Sequence, residues 1–401
     1  MRLMVTLALM TIGASGMYVV AVVLPVAQAE FHVARADASL PYTLVMIGFG
    51  VGGIMMGRLA DRFGVMMPLL IGALSMGLGF WLAGMADNMW SFALAHGVLI
   101  GFFGSSATYA PLIADTSLWF VRRRGIAVAV CGSGNFLGGA IWPPIVQHFV
   151  EIVGWRQTYF GLGIFCAVSM TALALLMRRR PPAVAAATTS HSVAALPSRP
   201  FGLTPGAAQV LLCIAAVSCC VAMSMPQVHI VAYCADLGYG AARGAQMLSV
   251  MLAFGIVSRL ISGAICDHIG GLRTLLLGAG LQTVALLLFL PFDGLVSLYV
   301  IAALFGLFQG GIVPAYAIIV REHFTPREAG TRVGAVIMCS MLGMALGGWM
   351  SGKIFDLTGS YHTAFINGIA WNLVTVAIAV MLLRRVRGTP YSSRVPVSLI
   401  R

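Results

Sequence analysis

Twelve apolar runs follow one another along this 401-residue chain, at approximately 4–29, 39–60, 66–86, 91–118, 125–150, 157–177, 207–234, 243–266, 272–291, 296–320, 331–353 and 362–383. A helix rises about 1.5 Å per residue, so about 20 such residues cross the ~30 Å hydrocarbon layer of a bilayer. Strands of a membrane barrel would be about ten residues of strict alternation, a pattern the runs do not follow. Charged residues make up only 9% of the chain, against about 25% in soluble domains. The prediction is an all-α membrane protein of twelve transmembrane helices, with the lipid bilayer as its first partner. The opening stretch, with Arg2 and "AQA" at 27–29, imitates a secretory signal. Its apolar run is longer than a signal core of about 7–15 residues, so it reads as an uncleaved first span.

The net charge of +12 does not indicate nucleic acid, because the arginines sit in short runs beside apolar segments. Such runs record topology. With both termini in the cytoplasm, Arg35, Arg156, Arg243 and Lys353 fall outside and Arg259 falls within a span, leaving 19 of the 24 Lys and Arg residues inside. The expected location is a plasma (inner) membrane. The eight cysteines lie in or at the ends of apolar runs without CxxC spacing, and read as small hydrophobes rather than disulfides or metal ligands. No metal, cofactor or catalytic residue is expected. The eight histidines are scattered, mostly near span ends, whereas a membrane enzyme or redox subunit would need histidine pairs or acid–histidine clusters at depth.

The chain repeats itself. "GRLADRFG" (57–64) recurs as "GAICDHIG" (263–270) at an offset of 206, and Gly138-Gly139 recur as Gly347-Gly348 at 209. Residues 1–180 and 206–386 therefore read as two pseudo-symmetric six-helix halves, joined by a Pro/Ala/Ser/Thr-rich cytoplasmic linker (181–205) and followed by a tail (387–401). Where the halves meet, a binding site is expected.

The motif Gly57, Asp61, Arg62, Gly64, echoed by Gly263, Asp267 and Gly270, resembles the conformational loop of the major facilitator superfamily, although Val65 and Met66 replace its usual basic pair. Its glycines suit a tight turn, and Asp61 suits a neighbouring helix N-terminus. "WFVRRRGIAVAVCGSGNFLGG" (119–139) and "GWRQTYFGLGI" (154–164) are similar to the monocarboxylate transporter branch, which includes oxalate–formate antiporter relatives. Arg122, Arg123 and Arg124 read first as a topology anchor.

Arg259 lies eight residues before the next charge, Asp267, which places it about 12 Å inside the membrane at a cost of about 2.5–3.5 kcal/mol. Subtracting the repeat offset lands on Gly53, so the helical scaffold does not require this arginine. No acidic residue stands at matching depth, and a guanidinium in a cavity is a bidentate carboxylate receptor. The branch resemblance implies the same role, since its members bind the substrate carboxylate through an arginine at the place of "SRLISG". It also implies a substrate-facing Tyr109, with Tyr316 a second tyrosine of this kind. The aspartate and span-one lysine that eukaryotic members use are missing, and His96 stands where proton-coupled facilitators carry an arginine. Asn135, Asn372, Tyr18, Gln227 and His229 are further polar residues at useful depth, with His229 a candidate proton acceptor for coupling.

The expected function is secondary active transport of a small organic anion, a monocarboxylate, with a proton or a counter-transported anion as coupling partner. A carrier of a neutral or amphipathic solute, with Arg259 structural, stays open as the second reading.

Overall fold

The computed structural model describes residues 1–120, 124–178 and 200–388. Among them are twelve helical segments long and apolar enough to cross a membrane. In chain order they are α1 (Arg2–Phe31), α2 (Arg35–Phe63), α3 (Met66–Gly84), α4 (Met89–Trp119), α5 (Ile126–Val153) and α6 (Trp155–Leu176). The second set is α7 (Pro205–Asp236), α8 (Ala241–Ile269), α9 (Gly271–Leu288), α10 (Leu295–His323), α11 (Glu328–Thr358) and α12 (Tyr361–Val386). Hydrocarbon offers no partner to a free N–H or C=O, so each run closes its backbone bonds within itself. Arg122, Arg123, most of the 181–205 linker and the tail beyond 388 lie outside the described residues. The second half starts where Thr204 Oγ1 accepts the Ala207 N–H at 3.3 Å, with Pro205 at the first helical position.

Helices α1 and α7 are the hubs. Ser15–Leu24 and Ser218–Cys234 are buried without interruption, as expected of helices apolar on every face. Glycines let α5 and α11 approach them closely. Gly134 meets Leu7 and Met10, and Gly138 meets Thr11 and Ala14; in the second half Gly343 meets Val217 and Cys220, and Gly347 meets Val221 and Ser224. The offset of 209 read in the sequence is therefore an offset in packing. Small residues serve membrane helices this way because lipid tails supply no hydrophobic drive, leaving contact itself to hold the pair together.

Both loop-motif glycines adopt the same backbone, Gly64 at φ 86°, ψ 163° and Gly270 at φ 81°, ψ 162°, a region that is essentially closed to other residues. The motif's acid behaves otherwise than expected. Asp61 and Asp267 are exposed, and the helix N-terminus beside the second motif is met instead by Glu322, whose carboxylate accepts the Gly271 N–H at 3.2 Å. In the first half, at the end of α4, Asp115 takes two hydrogen bonds from Arg2 at 2.9 and 3.0 Å, and Arg2 lies 4.2 Å over the Trp119 ring.

The halves meet along two helix pairs, α5 with α8 and α2 with α11. Away from the termini, Arg35 and Ala36 at the start of α2 bond Asp356 of α11, and Thr43 donates to the Ala345 carbonyl. Deeper, Ser249 of α8 donates to the Ala140 carbonyl of α5, and Gly50 of α2 faces Met338 and Met341 of α11. Between α5 and α8 the contact runs on to Gly132 and Arg259, and there it stops. One to two turns closer to the termini, Gly53, Gly57, Gly263, Gly330 and Gly334 have nothing within 4 Å of where a side chain would begin. The halves thus part toward the face that carries the termini and are sealed at the opposite face.

A methyl at Gly138 would meet Ala14 Cβ at 2.6 Å, and one at Gly347 would meet Val221 Cα at 2.7 Å. Gly138→Ala and Gly347→Ala should each lower thermal stability in detergent by about 1–3 kcal/mol. Gly53→Ala, which meets nothing, should stay within about 0.5 kcal/mol of the unaltered chain. A silent Gly347→Ala would refute the tight-packing account.

Candidate solute-binding site

Arg259 is placed by α8 at the point where the halves part. Its Nη1 donates to the Gly132 carbonyl of α5 at 2.8 Å, the hydrogen bond between halves nearest the termini among the described residues. Its guanidinium carbon lies 4.9 Å from the Phe136 ring centroid, one turn along α5. Gly255, one turn earlier on α8, has no side chain, and the Phe136 ring fills that space. Among the described residues no Asp or Glu pairs with Arg259, and its buried Nε–H has no partner. A guanidinium offering an unpaired edge is suited to a planar anion.

Beside it, the Tyr18 hydroxyl of α1 donates to Asn135 Oδ1 of α5 at 3.0 Å. Tyr18 lies within electrostatic reach of both Arg259 and Tyr109. Asn135 directs its Nδ2 to Met17 Sδ at 3.4 Å. Tyr109 is half-buried, its ring edge-on to Phe49 at 5.7 Å. Four of the residues singled out in the sequence, Arg259, Tyr18, Asn135 and Tyr109, thus converge from α8, α1, α5 and α4.

Tyr109 owes its place to an interruption in α4. Ala95–Gly104 is wound as a π-helix, Ser105–Thr108 as a 3-10 turn, and Tyr109 sits at φ −110°, ψ −76° before Pro111 restarts the helix. Helix α10 breaks correspondingly, between Leu295–Gln309 and Ile312–His323. The repeat offset of 206 carries Gly104 to Gly310, inside that second break. Paired interruptions at matching places in two halves mark where membrane carriers bind their solutes, because irregular backbone at depth is tolerated only beside protein or a cavity.

Other expected residues lie elsewhere. The Tyr316 hydroxyl donates to Cys219 Sγ at 3.4 Å and the residue is 1% exposed; it belongs to the packing of α10 on α7 instead of facing solute. Asn372 donates to the Ala279 carbonyl and to Thr283, inside the second half. His96 joins the Phe92 carbonyl and the Tyr159 hydroxyl in the core of the first half. His229 sits toward the sealed face. Phe136 and Gln309 escaped sequence reading. Phe136 reads there as one more apolar residue of a span. Gln309, at the α10 break, accepts from Gln227 at 3.0 Å and keeps a buried Nε2 without a partner; its place before Gly310-Gly311 was the available signal.

Residues 5–298 and 266–397 match the Major Facilitator Superfamily. The chain belongs to that family and is a multi-pass membrane transporter. The MFS-type transporter opdF of Penicillium oxalicum is 26% identical over 338 residues, covering 82% of this chain and 76% of that one. Monocarboxylate transporter 13 of Rattus norvegicus is 26% identical over 361 residues, covering 89% of this chain and 82% of its own. Among solved structures, the nucleoside transporter NupG aligns with a TM-score of 0.73 over 96% of this chain and 98% of that one; at 12% identity the likeness is one of fold.

The Tyr18–Asn135 bond generates a direct test. Tyr18→Phe and Asn135→Leu should each lower stability by about 0.6–1.7 kcal/mol. The double variant should cost less than the sum of the two, since the second substitution removes the group that the first left unpaired. Strict additivity in thermal unfolding would show that the bond contributes nothing.

Proposed function

We propose that the chain carries a small organic anion, a monocarboxylate, by alternating access, with Arg259 receiving the carboxylate. The observation that carries this reading is Arg259 itself: a cation at the closed end of the opening between the halves, with a buried Nε–H unpartnered and no acid beside it among the described residues. A carboxylate brings two acceptors to the guanidinium edge and cancels a charge that costs about 2.5–3.5 kcal/mol at this depth. Tyr18 and Tyr109 supply hydroxyls, and Asn135 an amide, for the rest of the anion. No second lysine or arginine contacts this group of residues in the described structure, which favours one carboxylate over two. The kinship with monocarboxylate transporter 13 supports the assignment of substrate class.

The positive-inside pattern assigns the face bearing the termini to the cytoplasm of a plasma (inner) membrane, so the halves are parted inward. Neutralising Arg259 lowers the cost of burying it when the halves close over the anion, which ties solute binding to the conformational change. A proton or a second anion completes the cycle.

The Gly132 carbonyl and the Phe136 ring favour a second reading, in which Arg259 is held by protein alone and the solute is neutral or amphipathic. Uptake of labelled lactate, pyruvate and related carboxylates into proteoliposomes separates the two. If a carboxylate is received bidentately, Arg259→Ala should weaken uptake of a transported carboxylate by about ten- to a hundredfold at subsaturating concentration. Arg259→Lys, which keeps charge without the planar fork, should be impaired as well. Unchanged carboxylate uptake in both variants would make the arginine structural.

A further inference from the structure

The sealed face is closed by one arginine of the first half set among charges of the second. Arg35, its side chain 10% exposed, donates from Nη1 to the Tyr361 hydroxyl at 2.8 Å and from Nη2 to Asp236 at 3.3 Å. Its backbone N–H and that of Ala36 donate to the two Asp356 oxygens, each at 2.8 Å, so a carboxylate of the second half caps the short helical turn at the start of α2 in the first. The guanidinium carbon stands 4.7 Å over the Phe355 ring. Every partner in this set, Asp236, Phe355, Asp356 and Tyr361, belongs to the second half.

Behind Tyr361, fully buried, is His229. Its Nε2 faces the Gly348 carbonyl at 2.8 Å, an acceptor, so Nε2 carries the ring proton. Its Nδ1 is 3.4 Å from the Tyr361 hydroxyl. That hydroxyl oxygen already accepts from Arg35, which leaves its own proton for Nδ1. Both ring nitrogens are thus engaged in the neutral form. Arg35 and Asp356 both lie within electrostatic reach of the ring. The groups around it are Arg35 at the start of α2, Asp356 on α11, Tyr361 on α12, and Tyr233 and Asp236 on its own helix; Tyr42 of α2 lies against Gly348. Lys353 is exposed, and His362 turns to the Leu290 carbonyl.

When the halves part at this face, Arg35 leaves with the first half. Asp236 and Asp356 stay in the second with their cation and their N–H donors gone, and His229 stays within electrostatic reach of Asp356. We propose that a proton on His229 and the guanidinium of Arg35 are alternative cations beside Asp356, making this cluster the proton-binding site of the outer gate. With Arg35 in place, Nδ1 is an acceptor and the gate is closed. With Arg35 withdrawn, Nδ1 takes a proton from the outer solution and Asp356 keeps a cation nearby. The open form binds one more proton than the closed form, so lowering the pH favours opening. Once protonated, the ring resists the return of Arg35, and closure expels the proton. This inference rests on alternating access alone and holds whichever solute is carried.

The test reads gate opening without any solute. Spin labels attached through non-canonical residues at the exposed outer-loop positions 87 and 292, one in each half, report the separation of the halves by pulsed dipolar spectroscopy between pH 8 and pH 5. The unaltered gate should show a growing long-distance population, its ratio to the short one rising on the order of tenfold per pH unit while a single proton is taken up. His229→Gln can still donate to Gly348 and accept from Tyr361 but cannot be protonated, and it should hold the short distance across the range. Arg35→Gln should populate the long distance even at pH 8. An unaltered gate that ignores pH overturns the proposal. So does a His229→Gln protein whose pH response matches the unaltered one, because the acids themselves would then be the titrating groups. Arg35→Gln closed as fully as the unaltered protein would also overturn it. None of these readouts depends on Arg259, so their failure is separate from failure of the carboxylate reading.

Discussion

Close contact at glycine holds each half together, and the rest of the structure depends on it. In hydrocarbon a leucine gains nothing by leaving lipid for protein, so two helices associate only where their backbones come near enough for dispersion along the whole contact. Gly134 and Gly138 provide this between α5 and α1, as do Gly343 and Gly347 between α11 and α7. Each half is thereby a closely packed unit. The same helices α5 and α11 then present another face to the opposite half, where Gly139 meets Leu252 and Gly348 meets Tyr42. One set of small residues thus serves the rigid contact and an adjacent set serves the contact that must break.

The two contacts that must break differ in their chemistry. At the sealed face the halves are joined by charge, with Arg35 of one inserted among Asp236, Asp356 and Tyr361 of the other. At the inner limit of contact they are joined by a single guanidinium-to-carbonyl bond, Arg259 to Gly132. The Arg35 side chain is 10% exposed and that of Asp236 38%, so the acid already meets water and it is the arginine that must be resolvated or re-paired when the contact separates. In the gate cycle proposed above, Arg35 leaves and a proton on His229 takes its place near Asp356. The inner contact leaves its cation only partly engaged, with the Nε–H unpartnered. On the proposed reading, gating at one end and binding at the other are both answers to the cost of charge away from water.

Much of this was legible along the chain. Span number and the duplication follow from apolar length and from repeated glycines, because membrane insertion and close helix contact read local composition. Arg259 stood out because charge at that depth is expensive wherever it occurs, and comparison with Gly53 at the repeat offset showed that the scaffold does not need it. Tyr18 and Asn135 were readable from depth and Tyr109 from the branch resemblance, and the structure joins Tyr18 to Asn135 within electrostatic reach of Arg259 and Tyr109. Depth misled for Tyr316 and Asn372, which share that level yet face inward within the second half. A residue's depth is set by position along its own helix, whereas its facing is set by the rotation of that helix against its neighbours.

Sequence alone determined the class of the protein, its twelve spans, the repeat of its halves and the cation within a span, since each follows from the free energy of placing particular residues in hydrocarbon. Tertiary structure decided what sequence separation conceals. It brought Arg35 to Asp356 across 321 positions and Gly132 to Arg259 across 127, interrupted α4 and α10 at matching places, and left Asp61 exposed while Glu322 took a helix N-terminus. It also decided which end of the interface is sealed. The physical reason is that these contacts join helices whose order in space is not their order in the chain, and the energy of a pair belongs to neither residue until both helices are packed.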